Sequence, residues 1–256
     1  MDGCIFTGRG VPVSAAVELT VAVVVIGLVA VLIGALVQGV IGFGMNLLVV
    51  PVLALVEPDS LPAVAVMLGV PLSLTMLAHE HEAVDRRGVG WVMLGRLPGT
   101  ILGAWIVTIA SNGALSVVIG ASVLFATVLS AWAPPIPHHA ATVTAAGVVS
   151  GTTGTAAGIG GPPLALLYQH HPGPVIRGTL AATFFLGTIL SLAFLGVAGE
   201  IGWGHVALGA LLTPAALIGG RFSRRFAQHV DAHWLRPAVL TFAAVSAVVV
   251  IVNGLA

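Results

Sequence analysis

The chain has 256 residues, of which 58% are hydrophobic and 7% charged, and its formal net charge is zero. Soluble domains carry about 25% charged residues, so this composition excludes a water-soluble monomer. The neutral balance offers no bulk attraction to nucleic acid. With a mean hydropathy of +1.11 and no polar linker, residues 1–256 read as a single transmembrane domain whose surroundings are the lipid bilayer.

A helix needs about 20 apolar residues to cross the hydrocarbon core. In chain order, the apolar segments are Ala15–Val37, Met45–Val56, Leu61–Ala78, Val89–Ala110, Ala114–Trp132, Ala140–Tyr168, Gly178–Ala198, Gly204–Phe222 and Leu235–Leu255. The first follows Arg9 and exceeds the ~7–15 residues of a signal-peptide core, so it reads as a retained membrane segment. The polar connections are His79–Arg87, His138–His139, His170–Arg177 and Ser223–Arg236. These runs lack the strict alternation of barrel strands, which leaves an all-α polytopic membrane protein. Cys4 is the sole cysteine, so there is no intrachain disulfide, and no further ligands surround it for a thiolate metal site.

Helix breakers cluster twice. Gly39, Gly42 and Gly44 fall between the first and second runs, and Gly151, Gly154, Gly158, Gly160, Gly161, Pro162 and Pro163 interrupt the sixth. Proline removes a backbone donor and clashes with the preceding turn but fits the first turn of a new helix. Pro162 and Pro163 therefore open one half-helix, and Asn46 sits in the first turn of its counterpart. At one constant offset Gly42 pairs with Gly158, Gly44 with Gly160, Pro98 with Pro214 and Gly103 with Gly219. A slightly different offset pairs Leu72–Ser73–Leu74 with Leu190–Ser191–Leu192. The chain thus divides into two repeats, about 15–132 and about 140–255.

The positive-inside rule orients the repeats. Four simple crossings per repeat would split the arginines between the two sides. A first segment that enters, breaks and returns instead puts Arg86, Arg87, Arg177, Arg221, Arg224, Arg225 and Arg236 on one side, with Arg9 opposite. The repeats are then inverted, each with a glycine-broken hairpin and about three transmembrane helices, and both termini lie outside the cytoplasm. Paired broken helices in corresponding halves point to a transporter site near the midplane, because half-helix N-termini suit anions. Glycine for close helix packing is the competing reading, evenly weighted for Gly39–Gly44 and weaker for Gly158–Pro163.

The stretches GVIGFGMNLLVVPVLAL and SGTTGTAAGIGGPPLALL, one repeat apart, resemble the sulfite exporter TauE/SafE family of membrane permeases. The resemblance runs from Val31 to Val252 and is closest over Gly158–Ile159–Gly160–Gly161–Pro162; Arg177–Gly178–Thr179 also fits the pattern. In the first copy, Met45–Asn46 stands where the second has Gly161–Pro162. The resemblance implies a secondary transporter of small sulfur-containing anions such as sulfite or organosulfonates, in the bacterial cytoplasmic (inner) membrane. The expected binding residues are Gln38, Gly42, Gly44, Asn46, Thr152, Thr155, Gly158, Gly160, Gly161, Pro162 and Thr179. Ser150, Thr152, Thr153 and Thr155 can alternatively satisfy carbonyls freed at the breaks.

Arg96 falls within an apolar segment, a position that is functional by default, but its nearness to the arginine-rich end favours snorkelling to the interface. His79–Glu80–His81–Glu82, His138–His139 and His170–His171 lie in connections and lack helical zinc spacing. No cofactor or metal is expected, and no enzyme activity, since Ser150 has no deep basic partner. A permease for another small anion or a metal cation, and an intramembrane enzyme, remain the alternatives, and a homo-oligomer is left open. No carboxylate lies mid-membrane to relay protons. Anion export would need no coupling ion, because moving one negative charge outward gains about 2.3 kcal/mol per 100 mV.

Overall fold

The computed structural model describes residues 20–132, 137–227 and 232–255. Cys4 and Arg9 lie outside the described residues, as do 15–19 of the first apolar run, and the side chains of Arg224 and Arg236 are likewise undescribed. The described residues form ten α-helices: α1 Val21–Ile41, α2 Met45–Val56, α3 Ala63–Glu80, α4 Arg86–Ile109, α5 Asn112–Trp132, α6 Ala140–Ala156, α7 Gly161–Tyr168, α8 Gly173–Val197, α9 Trp203–Ala227 and α10 Ala232–Leu255. No strand occurs among the described residues. Seven helices (α1, α3, α4, α5, α8, α9 and α10) are long and apolar enough to span a bilayer. The chain is an all-α polytopic membrane protein.

Two apolar runs do not become spanning helices. The 12 residues of α2, at about 1.5 Å rise each, cover about 18 Å of a ~30 Å core. The run Ala140–Tyr168 divides at Ala157–Gly160 into α6 and the eight-residue α7. Helix starts follow local chemistry: the Thr20 hydroxyl accepts from Val23 N–H, Asp85 accepts from Gly88 N–H, and His139 and Thr142 form a reciprocal capping box on α6.

Close-packed glycines fix the helix directions. On α4, Gly95, Gly99 and Gly103 face the backbone carbonyls of Thr144, Val148 and Thr152 on α6, so these helices run parallel. Gly27 meets Leu212, and Gly219 meets Leu32 and Ala35, so α1 and α9 are also parallel. By contrast α3 and α8 are antiparallel, with Gly69 on Thr188 and Gly178 on the Glu80 carbonyl. The same holds for α5 and α10, where Gly113 faces Gly254 and Gly120 faces Ala247. The contacts pair off across the chain: α4 packs on α6 as α9 on α1, α3 on α9 as α8 on α4, and α2 on α10 as α7 on α5.

With these directions, the α4 and α8 N-termini and the α9 C-terminus share one end of the molecule, and so do Arg86, Arg87, Arg177, Arg221 and Arg225. The α6–α7 pair enters from that arginine-rich end and returns to it, since Tyr168 reaches Asp85 there. Asp59 lies at the opposite end, where its carbonyl meets His205 near the start of α9. Trp91, Trp105, Trp132 and Trp203 are exposed on the outer surface, as suits rings facing lipid.

Candidate functional site

Both breaks are made by glycines in the left-handed region. Gly42 (φ 99°) caps α1, with its N–H on the Gln38 carbonyl, and Gly44 (φ 118°) precedes α2. In the second break, Gly158 has φ 74°. A Cβ is disfavoured at such angles, so both reversals need glycine.

The breaks touch. Asn46 Nδ2, in the first turn of α2, donates to the Gly158 carbonyl at 2.6 Å and to the Ala65 carbonyl of α3 at 3.1 Å. Gln38 Oε1 accepts from Met45 N–H at 3.1 Å, so α1 caps the α2 half-helix across the first break. Around this junction lies a cavity of about 50 Å³. Its walls include Gln38, Gly44, Asn46, Gly158, Gly160, Gly161 and Pro162 among the residues expected from sequence.

The other expected residues sit elsewhere. Gly42 lies beside Ile176, Arg177 and Leu180. The Thr152 hydroxyl donates to the Val148 carbonyl in its own helix, and Thr155 Oγ1 pairs with Ser191 Oγ at 2.8 Å. Thr179 Oγ1 accepts from Asp85 N–H near the arginine-rich end. Ser150 takes the carbonyl-satisfying role, donating to the Gly160 carbonyl at 2.7 Å.

The residue that sequence reasoning placed wrongly is Arg96. It does not snorkel: it is 2% exposed and lines the cavity. Its Nη1 donates to Ser150 Oγ at 3.1 Å, and Nε has no partner. Ser150 and Gly154 on α6 and Gly187 on α8 form the slot that draws the side chain inward; a Cβ at Gly187 would sit 2.0 Å from Nε. Phe43, Gly154, Phe184 and Thr188 also line the cavity without having been singled out for it. The only prior signal for Arg96 was a charge within an apolar run.

Toward the arginine-rich end, a second cavity of about 20 Å³ is bordered by Gly39, Met76, Glu80, Arg177 and Ser223. Arg177 is engaged there, with Nε and Nη2 on Glu80 Oε1 at 3.1 and 2.8 Å. Nearby, Tyr168 OH donates to Asp85 Oδ2 at 3.0 Å, and the Tyr168 ring packs against His138 and His171. Burial pushes the Asp85 carboxyl up, but the Gly88 N–H, Tyr168 OH and the nearby His138 outweigh it and hold Asp85 below its usual value. Among the described residues no three His, Cys, Asp or Glu side chains come together as a metal site.

Spanning helices arranged around two touching breaks, with a cavity at their junction that holds a buried arginine, define a membrane transporter. The chain belongs to the family described as "Sulfite exporter TauE/SafE", whose model matches residues 26–250. It is also 27% identical over 200 residues to the "Probable sulfite/organosulfonate exporter TauE" of Cupriavidus necator, covering 74% of this chain and 78% of that protein. No solved structure matches the chain.

Proposed function

We propose that the chain exports a small sulfur-containing oxyanion, sulfite or an organosulfonate, across the bacterial cytoplasmic membrane. The anion would bind in the midplane cavity lined by Gln38, Gly44, Asn46, Gly158, Gly160, Gly161 and Pro162. The observation that carries this reading is the junction itself. Asn46 of one break bonds Gly158 of the other, at a cavity whose walls come from both halves of the chain. Irregular backbone at membrane depth is tolerated where it is enclosed by protein or lines a polar cavity. Single-domain organisation over 1–256, with inverted repeats at about 15–132 and 140–255, belongs to the same proposal. The parallel α1–α9 and α4–α6 pairs and the antiparallel α3–α8 and α5–α10 pairs support it, since in-plane two-fold repeats place each helix opposite in direction to its counterpart. Alternating access would follow from rocking one half against the other.

The test is flux in proteoliposomes at a clamped potential, using labelled sulfite, thiosulfate, sulfate and a small sulfonate, with and without a pH gradient. Saturable flux of a sulfur anion that follows voltage and proceeds without any imposed pH gradient is the expected result. Flux that demands a pH gradient at fixed voltage would refute uncoupled export, and absence of flux for every anion would refute the substrate class.

A further inference from the structure

We infer that Arg96 supplies the single formal charge of the binding cavity, and that the cavity therefore selects singly charged oxyanions over doubly charged ones. This rests on the anion-carrier reading above. Arg96 lies ten residues into α4, which at about 1.5 Å per residue is about 15 Å from the helix start and near mid-depth of a ~30 Å core. It is 2% exposed, and among the described residues no carboxylate pairs with it. Its hydrogen bond goes to a neutral hydroxyl, Ser150 Oγ. A buried charge without a counter-charge is strongly unfavourable, and an intramembrane cation of this kind marks a ligand path. Every other cavity-lining side chain is formally neutral.

The half-helix ends offer few free N–H donors beside that charge. Met45 N–H is already taken by Gln38 Oε1. In α7, the second and third residues are Pro162 and Pro163, which have no N–H to offer. One unit of negative charge therefore balances the cavity, and a second would be left uncompensated. Asn46 points the same way. Its Nδ2 is committed to two carbonyls, which fixes the amide orientation, and its Oδ1 is buried with no donor. That oxygen accepts from an O–H on a protonated oxyanion and repels a second O⁻. The volume fits a compact cargo: about 50 Å³ holds roughly four water-sized groups at ~10–15 Å³ each, comparable with a sulfur and three oxygens.

The test compares charge with cargo in wild-type proteoliposomes. Integrated current is divided by labelled-sulfite uptake on the acid and alkaline sides of neutrality, and sulfate is added as competitor. We expect one charge per sulfite at both pH values, and competition by sulfate at least about tenfold weaker than by hydrogen sulfite, a difference of about 1.4 kcal/mol. Arg96→Gln should lower sulfite flux at least about tenfold, and Arg96→Lys, which keeps the charge, should recover part of it. Two charges per sulfite, equal competition by sulfate, or unchanged flux in a folded Arg96→Gln carrier would each overturn the inference. The wild-type ratio and competition decide it even if the variants fail to fold. Absence of any saturable sulfite flux in wild type would instead overturn the carrier reading, and this inference with it.

Discussion

Asn46 does for the breaks what a cap does for a helix end. Its Nδ2 satisfies the Gly158 and Ala65 carbonyls, which the surrounding apolar chain cannot do. Asn46→Ala leaves both carbonyls without this donor, and each unsatisfied buried group costs about 1–3 kcal/mol. The thermal midpoint in detergent should therefore drop for Asn46→Ala, and an unchanged midpoint would show that water or a rearranged donor replaces the amide. Asn46 was legible beforehand because it follows a glycine cluster and opens a half-helix. The direction of Arg96 was not, because snorkelling and inward pointing differ only in what surrounds the side chain. The inward slot is built by Ser150, Gly154 and Gly187, more than fifty positions along the chain, and nothing near Arg96 in sequence announces them.

At the scale of elements, the breaks were readable because Gly and Pro clusters inside apolar runs have few other physical uses. The helix seams were not, because glycine is common here and spacing alone does not say which glycines meet backbone. The α4–α6 seam is the case in point. A Cβ at Gly99 would lie 2.2 Å from the Val148 carbonyl oxygen, whereas one at Gly90 meets nothing within 4 Å. Gly99→Val should destabilise the fold by about 1–3 kcal/mol through overpacking. Gly90→Ala should stabilise it by about 0.5–1 kcal/mol through helix propensity. Equal effects at the two positions would refute the close approach. The start of α4 carries a pH signature as well. Asp85 is held below its usual value in the folded state, so its contribution to stability is fully present above the unfolded pKa. That contribution disappears as the pH falls through the folded value. Asn keeps the capping oxygen without the charge. The midpoint difference between wild type and Asp85→Asn should thus be largest at neutral pH and vanish on acidification. A difference independent of pH would assign the effect to packing.

Across the whole molecule, the α3–α8 contact lies between the two halves, and its arginine-rich end is tied by the Arg177–Glu80 pair. The smaller cavity that this pair borders has Gly39 on its wall, next in sequence to Gln38 on the wall of the larger cavity. The side chains of Arg177 and Glu80 are 28% and 15% exposed, and partly solvated pairs contribute about 0.2–1 kcal/mol. Breaking the pair should thus hardly change global stability. The same free energy acts differently on an equilibrium between closed and open arrangements of the halves, where about 1.4 kcal/mol is tenfold in population. Glu80→Gln should accordingly raise opening at this end by up to about fivefold. Ser223 borders the smaller cavity and is 1% exposed, so it reports that opening. With Cys4 replaced by serine, Ser223→Cys should react faster with a water-soluble thiol reagent in the Glu80→Gln background. Exchanging the charges, Glu80→Arg with Arg177→Glu, should slow the reaction again. If labelling is indifferent to Glu80→Gln, the pair does not hold this end closed. If the exchange fails to restore protection, the side-chain geometry matters beyond its charge.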